Sequence, residues 1–276
     1  MPVACIAAVH RPFNHYVHGI TMLLIISPSK TQHLHLLDPA SASQPRLITQ
    51  AQSLINRLSS YSNAQLAALM KTSERLTEST RKSIQSFSLP HTPGNSGSAL
   101  ATFRGDGFSS IKAAEYQPDQ LHYAQQHVRI LSGLYGLLRP LDLIQPYRLE
   151  MGLRLATDQG NNLYQFWGNQ ITELLNEDLG LLANPLLIDC ASAEYKKSVR
   201  ADQLQAPIVK IEFRQIKDNQ QKTIAIYAKK ARGMLIDYCI RNQITSVDGL
   251  KAFAEGNYQL SPDSEARHLI FLKVLA

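Results

Sequence analysis

The segment from Pro118 to Gly152 limits the possible folds most, because a helical pattern runs directly into a glycine turn and then into arginines. Pro118 and Asp119 are typical helix-start residues. Apolar residues then recur at spacings of three and four, which is typical of one helix face; they are Leu121, Ala124, Val128 and Leu131. The sequence therefore predicts a helix that continues to the glycine turn.

The glycine turn itself can serve as an anion-binding element. Gly133 and Gly136 flank Tyr135 and permit a close backbone approach, so free N–H groups can point at an anion, and Arg139 and Arg148 follow. Helix-hairpin-helix proteins hold a nucleic-acid backbone with such a combination of a helix, a glycine turn and a second element that carries basic side chains. Taken alone, the block fits a helix C-cap and a structural Arg-Pro turn better, because glycines are common past helix ends.

A second candidate site follows the apolar strand predicted at residues 23–26. Ser27, Lys30 and Thr31 offer hydroxyls, an ammonium group and backbone amides to a phosphate, somewhat as a P-loop does. The two glycines of that motif are absent, so nucleotide hydrolysis is not indicated. The alternative, which loop statistics favour, is a solvated loop whose turn is fixed by Pro28.

A third candidate is the basic cluster of Lys229, Lys230 and Arg232, which fall within four residues. On the first turns of a helix, at most two of the three side chains can face one surface. The cluster is therefore either a two-pronged phosphate grip or a solvated basic turn.

A fourth candidate follows the apolar strand predicted at residues 186–188, where Glu194 stands beside Lys196 and Lys197. Glu194 is the candidate general acid or base, but exposed ion pairs with lysines are far more common than catalytic carboxylates. Cys190 in the same loop is a candidate reactive thiol, although a free cysteine at a strand end is more often a small buried apolar residue.

Composition indicates the cellular compartment of the protein and the chemical class of its binding partner. Lys and Arg total 28 against 22 for Asp and Glu, which gives a formal charge of +6 and favours a polyanionic partner. The three cysteines lie far apart without a C-x-x-C motif, which predicts a reducing compartment, the cytoplasm. No segment approaches a membrane span and the histidines lack metal-site spacing, so we expect no membrane contact, no metal and no cofactor.

The order of apolar runs and helical patterns predicts a mixed α/β (α+β) fold, a single domain at residues 22–276 with a mixed β-sheet, flanking helices and a helix-hairpin-helix-like element. Strands are predicted at residues 99–103, 208–213, 223–227 and 269–271, and a helix at 230–241. Residues 1–21 contain no acidic group and show no periodicity. We expect them to be a disordered extension or a misassigned start.

Six motifs resemble, in order, those of the YaaA family of bacterial peroxide stress resistance proteins; they lie at residues 26–31, 103–106, 131–152, 163–168, 191–199 and 227–233. The resemblance implies a cytoplasmic protein that supports survival of hydrogen peroxide, limits free iron and binds DNA through a basic cleft. The motif positions that carry over are Lys30, Tyr135, Arg139, Arg148, Lys196, Lys197, Lys229, Lys230 and Arg232. Asp189 stands where the family usually has asparagine, which adds a negative charge near the expected cleft.

Two functional hypotheses follow. The first is a DNA-binding protein of peroxide defence that grips the sugar-phosphate backbone, duplex or single-stranded, with little base readout. The second is an enzyme that acts on a small phosphorylated or nucleotide-like substrate, with Lys30 and Arg232 as an anion clamp and Glu194 as acid or base; it predicts a deep pocket. A third, weaker hypothesis is a scaffold whose basic face contacts an acidic protein.

Overall fold

The computed structural model describes residues 22–217 and 220–275, so the extension expected at residues 1–21 lies outside the described residues. The β strands are β1 Met22–Ile26, β2 Thr31–Gln32, β3 Gly97–Ser98, β4 Phe103–Arg104, β5 Val128–Ser132, β6 Gly136–Leu138, β7 Leu143–Ile144, β8 Leu186–Cys190, β9 Ile208–Lys217, β10 Gln220–Lys222, β11 Gln259–Leu260 and β12 His268–Val274. The α helices are α1 Ile48–Ser59, α2 Asn63–Met70, α3 Glu74–Ser86, α4 Ala99–Thr102, α5 Pro118–His127, α6 Leu163–Trp167, α7 Gln170–Leu179, α8 Ala193–Lys196, α9 Ala225–Arg241 and α10 Val247–Lys251.

A mixed sheet of eight strands organises the described part of the chain, in the order β11-β12-β9-β8-β1-β5-β6 with β10 paired to β9. The strands from β12 to β5 run parallel, while β6, β10 and β11 pair antiparallel to their neighbours. The predicted mixed α/β fold is confirmed. Among the described residues, no helix is both long and apolar enough to cross a membrane.

Strand β1 lies in the interior of this sheet, between β5 and β8. All five of its residues are apolar and buried, as expected for a parallel strand that is covered on both faces. Its neighbour β8 begins with Leu186 and Leu187 and is paired to β1 in register from Met22 onwards. The sequence prediction of a buried first strand is confirmed.

The amphipathic helices cover the sheet. Helix α1 buries Ala51, Leu54, Ile55 and Leu58, the residues that its periodicity predicts. Helix α2 begins with the capping box that Ser62 forms with Gln65, in which each side chain bonds the other residue's backbone N–H. Local sequence therefore determines where these two helices begin and which faces they bury.

Three predicted elements are wrong. The helix that enters the glycine turn ends at His127, and Val128–Ser132 forms β5 because both faces of that segment are buried within the sheet. Residues 99–102 form α4 instead of a strand. Residues 223–227 contain the start of α9 instead of a strand, although the hairpin partner β10 exists at Gln220–Lys222.

A buried charge cluster joins α7 to β5 and to the segment before α1. The Asp178 carboxylate accepts hydrogen bonds from Arg129 Nε at 2.6 Å and from both terminal nitrogens of Arg46, at 2.7 and 2.9 Å. Burial raises the pKa of Asp178, but the two guanidinium groups outweigh this effect and hold the pKa below its ordinary value near 3.8. The carboxylate therefore stays charged and compensates the buried Arg129 and the half-buried Arg46.

We expect Asp178→Asn to lower the free energy of unfolding by about 3 kcal/mol near neutral pH, because it leaves the buried Arg129 without its counter-charge. A group with a depressed pKa stabilises the fold above its unfolded-state pKa. The difference between wild type and variant should therefore shrink as the pH falls below about 4. Urea unfolding at several pH values measures both effects.

Asp248→Asn is the matched control, since Asp248 pairs with Lys251 at an exposed position. That change should leave the unfolding free energy close to the wild-type value, because exposed ion pairs contribute little to stability. A loss at Asp178 no larger than the loss at Asp248 would contradict a structural role for the buried cluster.

Candidate functional site

A cavity of about 550 Å³ lies at the carboxyl ends of β1 and β8. Its walls are formed by residues 26–32 after β1, Cys190 and residues 192–195 after β8, residues 105–108, residues 147–150, and Lys229 and Arg232 on α9. The cavity brings together seven of the anion-binding and acid-base candidates that sequence analysis singled out: Ser27, Lys30, Thr31, Arg148, Glu194, Lys229 and Arg232.

Sheet topology explains why the cavity lies there. After β1 the chain continues to β5 on one side, whereas after β8 it continues to β9 on the opposite side. The loops that leave β1 and β8 therefore diverge, and in open α/β sheets such a switch point opens a crevice at the carboxyl ends of the strands. The loops are linked where the Ser192 N–H donates to Ser27 Oγ at 2.8 Å.

Two glycines let separate segments close the walls. At Gly233 of α9, a Cβ atom would lie 1.7 Å from the Gly107 carbonyl oxygen, so only glycine permits this contact between the helix and the loop. At Gly105, φ is +107° and a Cβ atom would lie 2.6 Å from Ser29 Oγ. The glycines of the Arg-Gly-Asp and Lys-Lys-Ala-Arg-Gly motifs are therefore required for close packing around the cavity.

The cations of the cavity differ in their pairing. Lys30 Nζ lies 2.5 Å from a carboxylate oxygen of Glu150. Arg148 and Arg232, by contrast, form no hydrogen bond or ion pair with any residue in the described ranges, and the Nε atom of each is buried without a partner. The terminal nitrogens of both guanidinium groups also lack a hydrogen-bond partner among the described residues, but unlike the Nε atoms they are not buried. They are therefore open to the cavity that the two arginines line.

Carboxylates also line the cavity. Glu194 Oε1 accepts a hydrogen bond from the Gly152 N–H at 2.9 Å, and the Glu194 carbonyl accepts from Tyr164. Asp106 and Glu150 lie in the same lining. Four cations therefore face three carboxylates, so the cavity carries mixed charge with only a small positive excess.

Four basic residues of the predicted site lie outside the cavity lining. Arg139 donates to the buried Asp142 at 3.0 Å and thereby compensates an internal charge. Lys196 pairs with Asp189 at 2.6 Å, so the lysine neutralises the carboxylate that departs from the family pattern. Lys197 lies over the Tyr164 ring, and Lys230 is exposed.

The glycine hairpin is a correction, because the segment that enters it is a strand. Gly133, Tyr135 and Gly136 connect β5 to β6 in the core, so the predicted helix-hairpin-helix geometry is wrong at this block. The Tyr135 hydroxyl accepts from the Gln145 N–H, and Trp167 Nε1 donates to the Gly133 carbonyl. A Cβ atom at Gly133 would lie 2.2 Å from the Leu149 carbonyl oxygen. These glycines serve packing and present no free surface to an anion.

The Cys190 thiol lies at the floor of the cavity but is buried. Burial raises its pKa to about 12, with a further increase from the neighbouring Asp189 carboxylate. The thiol is therefore protonated at neutral pH, which is the inert state expected for a small buried residue.

Sequence reasoning missed the aromatic part of the lining, which is Phe108, Tyr147 and Tyr195. Burial raises the pKa of both tyrosines above the ordinary value, so their hydroxyls are neutral. The available signal was position: Tyr147 adjoins Arg148, and Tyr195 adjoins Glu194. Periodicity gave no sign of it, because the segments around these residues are short and irregular.

The fold and the site together define a mixed α/β protein with a ligand-sized cavity at the switch point of its sheet. Residues 22–264 match the family model described as peroxide stress protein YaaA. A UPF0246 protein of Acaryochloris marina (strain MBIC 11017) is 44% identical over 241 residues, which cover 87% of this chain and 95% of the relative. The chain therefore belongs to the YaaA family of peroxide stress proteins, as its motifs predict.

Gly233→Ala tests the close contact between α9 and the loop at Gly107. We expect a loss of roughly 1–3 kcal/mol in unfolding free energy, the usual cost of overpacking, although alanine is the better helix former. Chemical unfolding measures the change.

Gly94→Ala is the control, because its Cβ atom would meet only Thr92 Oγ1, at 3.8 Å. It should stay within about 0.5 kcal/mol of wild type. A Gly233→Ala protein as stable as wild type would show that the helix and loop are free to separate.

Proposed function

We propose that this protein acts in the cytoplasm during peroxide stress by binding DNA through the phosphate backbone. The observation that carries the proposal is the pair of guanidinium groups, Arg148 and Arg232, which line one cavity and form no ion pair with any described residue. Arginines without carboxylate partners are suited to phosphates, which accept bidentate hydrogen bonds from a guanidinium group. The net charge of +6 supports a polyanionic partner.

The first turns of α9 extend this surface beyond the cavity. Lys229 and Lys230 are exposed and follow the exposed side chains of Ile226 and Tyr227. An exposed tyrosine next to lysines also suits base stacking beside a phosphate contact.

The proposal predicts a steep salt dependence of DNA binding. Changing Lys229, Lys230 and Arg232 together to Ala should reduce the slope of log K for DNA binding against log salt concentration by about 2–3. Each phosphate contact in the wild-type complex releases about one counterion from the DNA, and the variant loses up to three such contacts. Fluorescence anisotropy with labelled duplex and single-stranded DNA over a salt series measures this slope.

Lys82→Ala is the control for the loss of a positive charge elsewhere on the surface, since Lys82 is exposed on α3 and lies outside the cavity lining. It should leave the slope near the wild-type value. A flat salt dependence for the wild-type protein would contradict backbone binding.

The carboxylates of the cavity favour a second candidate function, an enzyme that acts on a small phosphorylated or nucleotide-like substrate. A surface built only to hold phosphates gains nothing from Asp106, Glu150 and Glu194, whereas acid-base chemistry requires such groups. In this candidate Glu194 is the acid or base, and the Gly152 N–H orients it.

The enzyme candidate predicts that Glu194→Gln retains ligand binding and loses turnover. Thermal shifts with phosphorylated metabolites at high salt identify a ligand, and product analysis then compares wild type with the variant. Equal turnover by both proteins would rule out Glu194 as the acid or base.

A further inference from the structure

The lining of the cavity combines cations with two kinds of group that a bare phosphate backbone does not use. Besides the cations, it presents the aromatic side chains of Phe108, Tyr147 and Tyr195 and the carboxylates of Asp106 and Glu194. We propose that the cavity binds a single nucleotide unit, either free or extruded from a DNA strand. This inference rests on the proposed function and names the part of the ligand that enters the site.

The phosphate of this unit binds between Arg148 and Arg232. The two side chains come from separate elements, the segment after β7 and helix α9, so they can contact different oxygens of one phosphate. Their Nε atoms are buried and their terminal nitrogens are open to the cavity. Lys30 is less available, because Glu150 lies 2.5 Å from its ammonium nitrogen.

The carboxylates fit the donor groups of a nucleoside. Glu194 uses Oε1 to accept from Gly152, and no residue in the described ranges donates to its Oε2 or to the Asp106 carboxylate. Free carboxylate oxygens would repel a polyphosphate, but they accept hydrogen bonds from exocyclic amino groups and sugar hydroxyls. A ligand that carries one anionic end and several N–H or O–H donors therefore matches the mixed charge of the cavity.

The aromatic wall fits the edge of a base, because Phe108, Tyr147 and Tyr195 are 3–8% exposed and present only a small part of each ring to the cavity. Phe108 and Tyr147 both contact the buried Phe103 ring, at centroid distances of 5.2 and 6.3 Å, so their positions are fixed by packing. Rigid aromatic side chains are the usual partners of nucleobases, because every base offers a π-face or an edge to stack or pack against.

The size of the cavity limits what can enter. Its volume of about 550 Å³ falls within the range of pockets for small molecules and cofactors. A DNA duplex is far too wide, so a nucleotide of a duplex reaches the cavity only after it leaves the base stack. Free nucleotides and extruded nucleotides thus share one binding chemistry and differ only in their source.

Isothermal titration of the full-length protein tests the ligand class. The titrants are deoxynucleoside 5′-monophosphates, the matching deoxynucleosides and inorganic phosphate. We expect a monophosphate to bind at least about tenfold tighter than either fragment, because only the intact nucleotide uses both ends of the cavity. Arg148→Gln and Arg232→Gln should each remove this preference, whereas Arg154→Gln, an exposed arginine outside the lining, should preserve it.

Two labelled DNA duplexes, one fully paired and one with a single bulged nucleotide, test whether the bound nucleotide comes from a DNA strand. If the cavity takes a nucleotide from a strand, the bulged duplex binds on the order of tenfold tighter, because its extra nucleotide is already unstacked. Arg148→Gln should abolish that difference, so that the bulged and the paired duplex bind equally, whatever the loss in the affinity that both duplexes share.

The outcomes separate this inference from the proposed function. Mononucleotide binding without DNA binding would refute the proposed function and support the inference, with a free nucleotide as the ligand. DNA binding that is equal for both duplexes, together with monophosphates that bind no tighter than inorganic phosphate, would overturn the inference and leave the proposed function intact. The ligand comparison on wild-type protein decides this even where an arginine variant fails to fold.

Discussion

The pairing of β1 with a parallel strand on each side is the constraint on which the rest of the structure depends. Five buried apolar residues place this strand inside the sheet, and the chain leaves β1 towards β5 but leaves β8 towards β9, on the opposite side. The loops after β1 and β8 must then separate at the carboxyl edge, which opens a crevice between them. Ser27 and Ser192 mark the two sides of that opening.

Close backbone contacts turn this crevice into a bounded cavity. Helix α9 approaches Gly107 through Gly233, and the loop at Gly105 reaches Ser29, so cations from distant parts of the sequence face the same volume. The distribution of ion pairs then separates charges that are compensated within the fold from charges that are not. Arg139 and Lys196 compensate buried or nearly buried aspartates, whereas Arg148 and Arg232 have no such partner among the described residues.

The mixed charge of the cavity connects the two candidate functions. A DNA-binding surface and a pocket for a small phosphorylated molecule both need arginines for a phosphate, and they differ in the use of the carboxylates. A nucleotide carries both an anion and hydrogen-bond donors, so it accounts for the arginines and for Glu194 and Asp106 together. Membership in the peroxide stress family gives the cellular context without identifying which source supplies the ligand.

The sequence by itself determined the buried strand β1, the amphipathic helices and the polar loops that follow the strands, because each depends on local pattern and composition. It also identified seven cavity residues, since polar residues directly after buried strands lie at one edge of a parallel sheet. Only the tertiary structure decided the glycine hairpin. Helical spacing of apolar residues continues through Leu131, but a segment that is buried on both faces can equally well form a strand, as Val128–Ser132 does. Gly133 is then enclosed by Leu149 and Trp167, which come from distant parts of the chain. The tertiary structure likewise decides which charges are paired. Arg139 and Arg148 look equivalent in sequence, but in the fold Arg139 pairs with Asp142 and Arg148 has no ion-pair partner among the described residues.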